Sequence, residues 1–123
     1  MATAKESLEN IVKKMGGNKK VEDLFTTNVA GKDVPWDMDF FFTLEGEDPF
    51  YLIIKDNKAE IGEGGLLDAR IVLEGDPNAI IRICEGKGDF THAISREEIT
   101  VAEGKVMDVI RLTKAITIVL QKK

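Results

Sequence analysis

Residues 67–104 read LDARIVLEGDPNAIIRICEGKGDFTHAISREEITVAEG, and this stretch decides the fold. Leu67, Ala69, Ile71 and Leu73 alternate with Asp68, Arg70, Val72 and Glu74, the period-2 pattern of a strand with one face buried. Gly75 ends it. Asp76-Pro77 supplies an N-cap followed by proline at the first helical position, where its missing N–H costs nothing. The sequence therefore predicts a short helix over 78–85 that carries Ile80, Ile81, Ile83 and Cys84. Gly86-Lys87-Gly88 stops it, since glycine takes the left-handed backbone of a helix C-terminus and a lysine suits the negative end of the dipole. Asp89 caps another short turn holding Phe90, Ala93 and Ile94. The chain re-enters the sheet at Ile99 and Val101 and leaves it at Gly104.

At these residues the chain resembles the sterol carrier protein 2 domain, a family of non-specific lipid-transfer proteins. The matching positions are Asp68 opening a strand, the apolar helix ending at Gly86-Lys87, Asp89 and Ala93, and the strand Ile99-Thr100-Val101 closing at Gly104. Glu97-Glu98 and Lys105 depart from the family pattern at the last turn. The resemblance implies an apolar tunnel for a lipid between sheet and helices.

Outward from this stretch, Ser7 to Met15 predicts a helix with Leu8, Ile11, Val12 and Met15 on one stripe, ended by Gly16-Gly17-Asn18. A second short helix from Lys20 to Thr26 offers Val21, Leu24 and Phe25, and the polar run to Lys32 reads as a connection. From Pro35, Trp36, Met38, Phe40, Phe42 and Leu44 point one way, with Asp37, Asp39 and Thr43 opposite and Phe41 the exception, which makes the clearest strand in the chain. Glu45-Gly46-Glu47-Asp48 turns it into a second strand, Phe50 to Lys55, and Asp56-Asn57 into a third, Lys58 to Ile61. Gly62-Glu63-Gly64-Gly65 is read as the turn into the fourth, so that four strands form a meander. From Val106 to Leu120, Val109, Leu112, Ile116 and Val119 form a helical stripe, although Ile116-Thr117-Ile118-Val119 also suits a strand. The fold class is α+β, an antiparallel-rich five-stranded sheet with helices packed on one face.

A chain of 123 residues is one domain by length, assigned here to 1–123. With 22 acids against 17 bases the net charge is −5, which disfavours nucleic acid as a partner. The single cysteine cannot form an internal disulfide, and no run nears the ~18 apolar residues of a membrane span. Met1 to Lys5 shows no apolar leader, and Gln121-Lys122-Lys123 is not a peroxisomal tripeptide. The expected location is the cytoplasm.

Catalysis finds little material. Cys84 and His92 are separated by a glycine break, and a cysteine on an apolar helix face is ordinarily inert packing. Glu45, Glu47 and Asp48, and Glu60, Glu63 and Asp68, form acidic turns without the spaced ligands of a calcium loop. No metal, cofactor or enzymatic activity is expected. A lipid needs no polar motif: at about 0.8 kcal/mol per buried CH₂, roughly 14 methylenes contribute on the order of 10 kcal/mol before entropy costs.

The expectation is a lipid-binding or lipid-transfer protein that holds a fatty acyl, acyl-CoA, sterol or isoprenoid chain. The lining set is Phe40, Phe42 and Leu52 from the sheet, Ile80, Ile83, Phe90 and Ile94 from the middle helices, and Val109, Leu112 and Ile116 from the last helix, with Leu24 and Phe25 closing the mouth. Lys13, Lys14, Lys19 and Lys20 are the basic patch for transient membrane contact. The alternative is a non-catalytic accessory module with a filled core, dimerising through Phe41, Ile53 and Val72 on the other sheet face.

Overall fold

The computed structural model describes residues 3–16, 18–64 and 69–121. Leu67 and Asp68 of the predicted strand, and Gly17 and Gly65 of the predicted turns, lie outside them. The elements run α1 (Ala4–Met15), α2 (Lys19–Leu24), β1 (Thr26–Val29), β2 (Lys32–Pro35), β3 (Met38–Leu44), β4 (Phe50–Lys55), β5 (Lys58–Glu63), β6 (Ile71–Gly75), α3 (Pro77–Cys84), α4 (Phe90–Ser95), β7 (Ile99–Glu103) and α5 (Val106–Gln121).

The five-stranded sheet has the order β5-β4-β3-β6-β7, and β1 and β2 form a separate two-stranded ribbon. Pairings β3–β4, β4–β5 and β6–β7 are antiparallel, and β3–β6 is parallel, with Phe40 opposite Ile71 and Phe42 opposite Leu73. The α+β, antiparallel-rich class predicted from the sequence is therefore present, but the meander ends at its third strand. After β5 the chain returns to the far side of β3, where the wholly buried Ile71 and Leu73 lie beside Phe40 and Phe42; β5, the other edge of the meander, has no fully buried residue to set against them. The ribbon is a second correction: 26–35 is not a plain connection. It closes on Ala30 and Gly31, both at positive φ (53° and 83°), which matches the twist of a two-residue hairpin turn. β5 also runs two residues further than predicted, through Gly62 and Glu63.

Helices α1 to α4 each start where a side chain satisfies free N–H groups. Thr3 and Glu6 form a reciprocal capping box on α1, one turn earlier than the stripe alone indicates. Asn18 caps α2, Asp76 caps α3 with Pro77 in the first turn, and Asp89 caps α4. Gly86 (φ 80°) follows α3, and the Lys87 amide donates back to the Arg82 carbonyl, so the Gly86-Lys87 stop works as a C-cap.

The buried face of the sheet, Phe40, Phe42, Leu44, Phe50, Leu52, Ile54, Ile71, Leu73 and Ile99, meets Leu8, Ile11, Ile80, Ile83, Phe90 and the α5 stripe in one core. Phe42 and Phe50, cross-strand partners, stack at 4.7 Å. On the opposite face Phe41, Ile53 and Val72 are half-buried, and the Tyr51 ring lies directly over Gly62, where a Cβ would collide with it. The α5 stripe Val109, Leu112, Ile116 and Val119 is buried along its length; in α5, tertiary burial overrides the β preference of Ile116 to Val119.

Candidate functional site

Every residue of the predicted lining lies in or against this core. Phe40 and Phe42 come from β3, Leu52 from β4, Ile80 and Ile83 from α3, Phe90 from α4, and Val109, Leu112 and Ile116 from α5; all are 3% exposed or less. Phe25 is fully buried after α2, while Leu24 and Ile94 are partly buried against the same cluster. The sequence-predicted set is thus brought together as one apolar layer between sheet and helices.

Phe25 is where this layer meets an opening. A half-enclosed pocket of about 160 Å³ has apolar walls from Val12 and Met15 of α1, Phe25 and Ala59, and a polar rim of Glu22, Asn57 and Lys58. Two clamps hold it. Asn57, at φ 65° in the β4–β5 turn, donates through Nδ2 to the Glu22 and Phe25 carbonyls and to Thr26 Oγ1 (3.0, 3.4 and 2.6 Å), so the turn is fastened to the end of α2. Behind Phe25, Trp36 lies with its ring centre 5.9 Å away and a further 6.3 Å from Phe40. The Arg111 guanidinium covers that indole and donates to the Leu24 carbonyl, the Thr26 carbonyl and Thr27 Oγ1.

Sequence reasoning placed Phe25 at the mouth but missed the rest of this pocket. Val12 and Met15 sit in the α1 stripe that reads as ordinary core, and Ala59 belongs to a short edge strand. The available signal was Asp56-Asn57, both at positive φ (53° and 65°), as expected of a tight hairpin.

The remaining chemistry is sparse. Burial, aided by the neighbouring Glu85 carboxylate, pushes the Cys84 thiol up to about 12, so no thiolate forms near neutral pH. His92 is exposed and directs Nδ1 to Asp89 at 2.9 Å rather than to the cysteine. The Asp89 carboxyl is held below the usual range chiefly by the His92 backbone N–H. Lys5 and Glu63 form an exposed ion pair at 2.9 Å. Among the described residues no group of three or more His, Cys, Asp or Glu is placed to hold a metal ion, and no helix is long and apolar enough to cross a membrane. Lys13 and Lys14 line an open groove with Val119 and Leu120.

No protein-family model and no curated protein sequence matches the chain. Solved structures match its shape. A sterol carrier protein 2 superposes with a TM-score of 0.64 at 11% identity, covering 95% of each chain. Palmitated SCP2L2 from Aedes aegypti superposes with a TM-score of 0.62 at 12% identity, over 89% of this chain and 90% of that one. The inverting sec-alkylsulfatase Pisa1 from Pseudomonas sp. matches 66% of this chain with a TM-score of 0.55 at 16% identity, yet this chain spans only 12% of that enzyme's length.

Proposed function

We propose that this chain, which has the sterol carrier protein 2 fold, is a single-domain, non-catalytic lipid-binding protein. An acyl, acyl-CoA, sterol or isoprenoid chain leaves water for the apolar layer between sheet and helices, entering beside Phe25. The observation that carries this reading is the continuity of that layer with the half-enclosed pocket through Phe25. It is supported by a neighbour in this fold whose structure was solved palmitated. Partition alone supplies the affinity, because each buried methylene contributes about 0.8 kcal/mol. Delivery from a cytoplasmic pool uses the end of the molecule where Lys13 and Lys14 stand beside Val119 and Leu120, a local basic patch on an acidic chain suited to anionic headgroups.

Native mass spectrometry of the freshly purified chain, followed by organic extraction, tests the reading. A stoichiometric hydrophobic adduct is expected, and added palmitate should change the emission of Trp36, the only tryptophan. A mass that stays clean after incubation with palmitate and palmitoyl-CoA would refute it.

A second reading is favoured by the closure of the same layer, whose sheet and α5 members are 1% exposed or less. A filled core of this kind suits an accessory module, with Phe41, Ile53 and Val72 as the dimer contact. Its signature in the same spectrum is a ligand-free dimer.

A further inference from the structure

We propose that the sheet face turned away from the helices docks a basic amphipathic helix of a partner protein. Its apolar side chains lie on Phe41, Ile53 and Val72, and a lysine or arginine one turn further on enters an acidic cleft beside them. This goes beyond the lipid-binding reading and is independent of it, because the lipid layer lies on the other side of the sheet. The occupant also differs from the second copy of the alternative reading.

The apolar part comes from register. Tyr51, Phe41 and Val72 are cross-strand neighbours in one row over β4, β3 and β6, and Ile53 follows Tyr51 on the same face of β4. All four are half-buried. None belongs to the core or to the side chains packed against it, although a sheet normally buries such a face against a further layer.

The charge comes from what adjoins that row. Thr43, two residues beyond Phe41 on the same face of β3, stands beside Glu74 and opens into a cleft of about 540 Å³ lined by Glu45, Glu74, Asp76, Glu97 and Glu98. Asp76 is engaged as the cap of α3, and Glu98 pairs with Arg82 at 3.0 Å, a guanidinium already seated at one edge. Among the described residues Glu45, Glu74 and Glu97 have no ion-pair partner. Thr43 Oγ1 is buried and makes no hydrogen bond, which leaves an unused acceptor in the cleft wall. A surplus of carboxylates attracts a cation. The spacing suits a helix, since two strand residues advance ~7 Å and one helical turn ~5.4 Å. A second copy would bring the same surplus of acid, Glu60, Glu74 and Glu103 included, against only Lys55 and Lys58, so two copies repel through this face.

The test adds the full chain, at physiological salt, to a short dye-labelled helix of leucine and lysine with its lysines on one face, and to its counterpart with glutamate for lysine, and follows fluorescence anisotropy. Saturable binding of the lysine helix alone is expected. Glu45→Gln, Glu74→Gln and Glu97→Gln together, all at exposed positions, should weaken it at least tenfold. Phe41→Thr should weaken it at least fivefold in a chain whose circular dichroism is unaltered. The same charge removed elsewhere, by Glu22→Gln, Asp23→Asn and Asp33→Asn, should weaken it less than twofold. Equal losses from the two triple variants, or no binding of the lysine helix, overturn the proposal. Palmitate should leave the helix bound; its displacement by palmitate would place the helix in the lipid layer and overturn the proposal. A native dimer in sedimentation that Phe41→Thr dissolves would make a second copy the occupant and overturn it likewise.

Discussion

The Arg111 guanidinium carbon lies 4.5 Å from the centre of the Trp36 ring. The same side chain makes three hydrogen bonds of 3.0–3.1 Å to Leu24, Thr26 and Thr27. One residue of α5 thus fastens the end of α2 and the root of the β1–β2 ribbon, segments whose own apolar content is low.

Arg111→Ala is expected to cost about 2.5–5.5 kcal/mol, from net contributions of roughly 0.5–1.5 kcal/mol for each of the three hydrogen bonds and ~1 kcal/mol for the stacked cation. Arg111→Lys should recover less than half of this, since an ammonium cannot reproduce the planar fork. Urea unfolding followed by far-ultraviolet circular dichroism measures both without relying on the altered emission of Trp36. Equal stability of native and Arg111→Ala chains would show that the clamp holds nothing.

Asn57 combines two roles that separate by substitution. Asn57→Gly keeps the positive φ and loses the bonds to Glu22, Phe25 and Thr26, a cost of about 1–2 kcal/mol. Asn57→Ala loses the bonds and adds about 1 kcal/mol of left-handed strain. Thermal melts should therefore rank native above Gly above Ala; an alanine variant as stable as the glycine one would remove the strain argument.

Glycine positions differ sharply in what they tolerate. Gly75 has φ 138°, and a Cβ there would collide with the Glu98 carbonyl oxygen, so Gly75→Ala must push β7 away from β6 and should lower stability by more than ~2 kcal/mol or prevent folding. Gly86 has φ 80° with only Leu120 Cδ1 nearby, at 3.8 Å. Gly86→Ala should cost only the ~1–2 kcal/mol of the backbone conformation. Comparing the two urea midpoints tests the difference, and similar losses would place the Gly75 effect in its φ alone.

Cys84 gives the fold an alkaline limit. Its folded pKa is raised to about 12 by burial, against ~8.5 for an exposed thiol. The unfolded chain therefore releases this proton first as pH rises. The stabilisation is complete below about pH 8 and falls away between there and pH 12. Cys84→Ala should flatten this part of the stability–pH curve, and in the native chain a disulfide reagent at pH 8 should react no faster than the chain opens. Prompt stoichiometric modification of the folded chain would contradict the buried thiol.

What could be read from the sequence followed from burial. Phe40, Phe42 and Leu44 announce a face because only one side of β3 leaves water, and Asp76-Pro77 and Asp89 announce helix starts because orphan N–H groups need acceptors. The β1–β2 ribbon left no such trace: its residues are half-buried or exposed, and it is fastened by Arg111, far away in the chain. Sheet order was equally hidden, because the alternation of Ile71 and Leu73 fixes a face and says nothing about which neighbour that strand chooses. The candidate pocket was legible only at Phe25, since its other walls come from a helix stripe and an edge strand that each look like plain core.

The parallel pairing of β6 with β3 also dictates an order of assembly. Strands β3, β4 and β5 are joined by short turns and can zip together locally within microseconds. The place beside β3 stays vacant until β6 is carried round to it, and β7 can dock only on β6. Loop closure must come before the contacts that reward it, so the arrival of β6 is the step expected to limit folding. Until then the backbone edge of β3 that pairs with Ile71 to Gly75 is open, and it is there that a newly made chain is most exposed to pairing with another copy of itself.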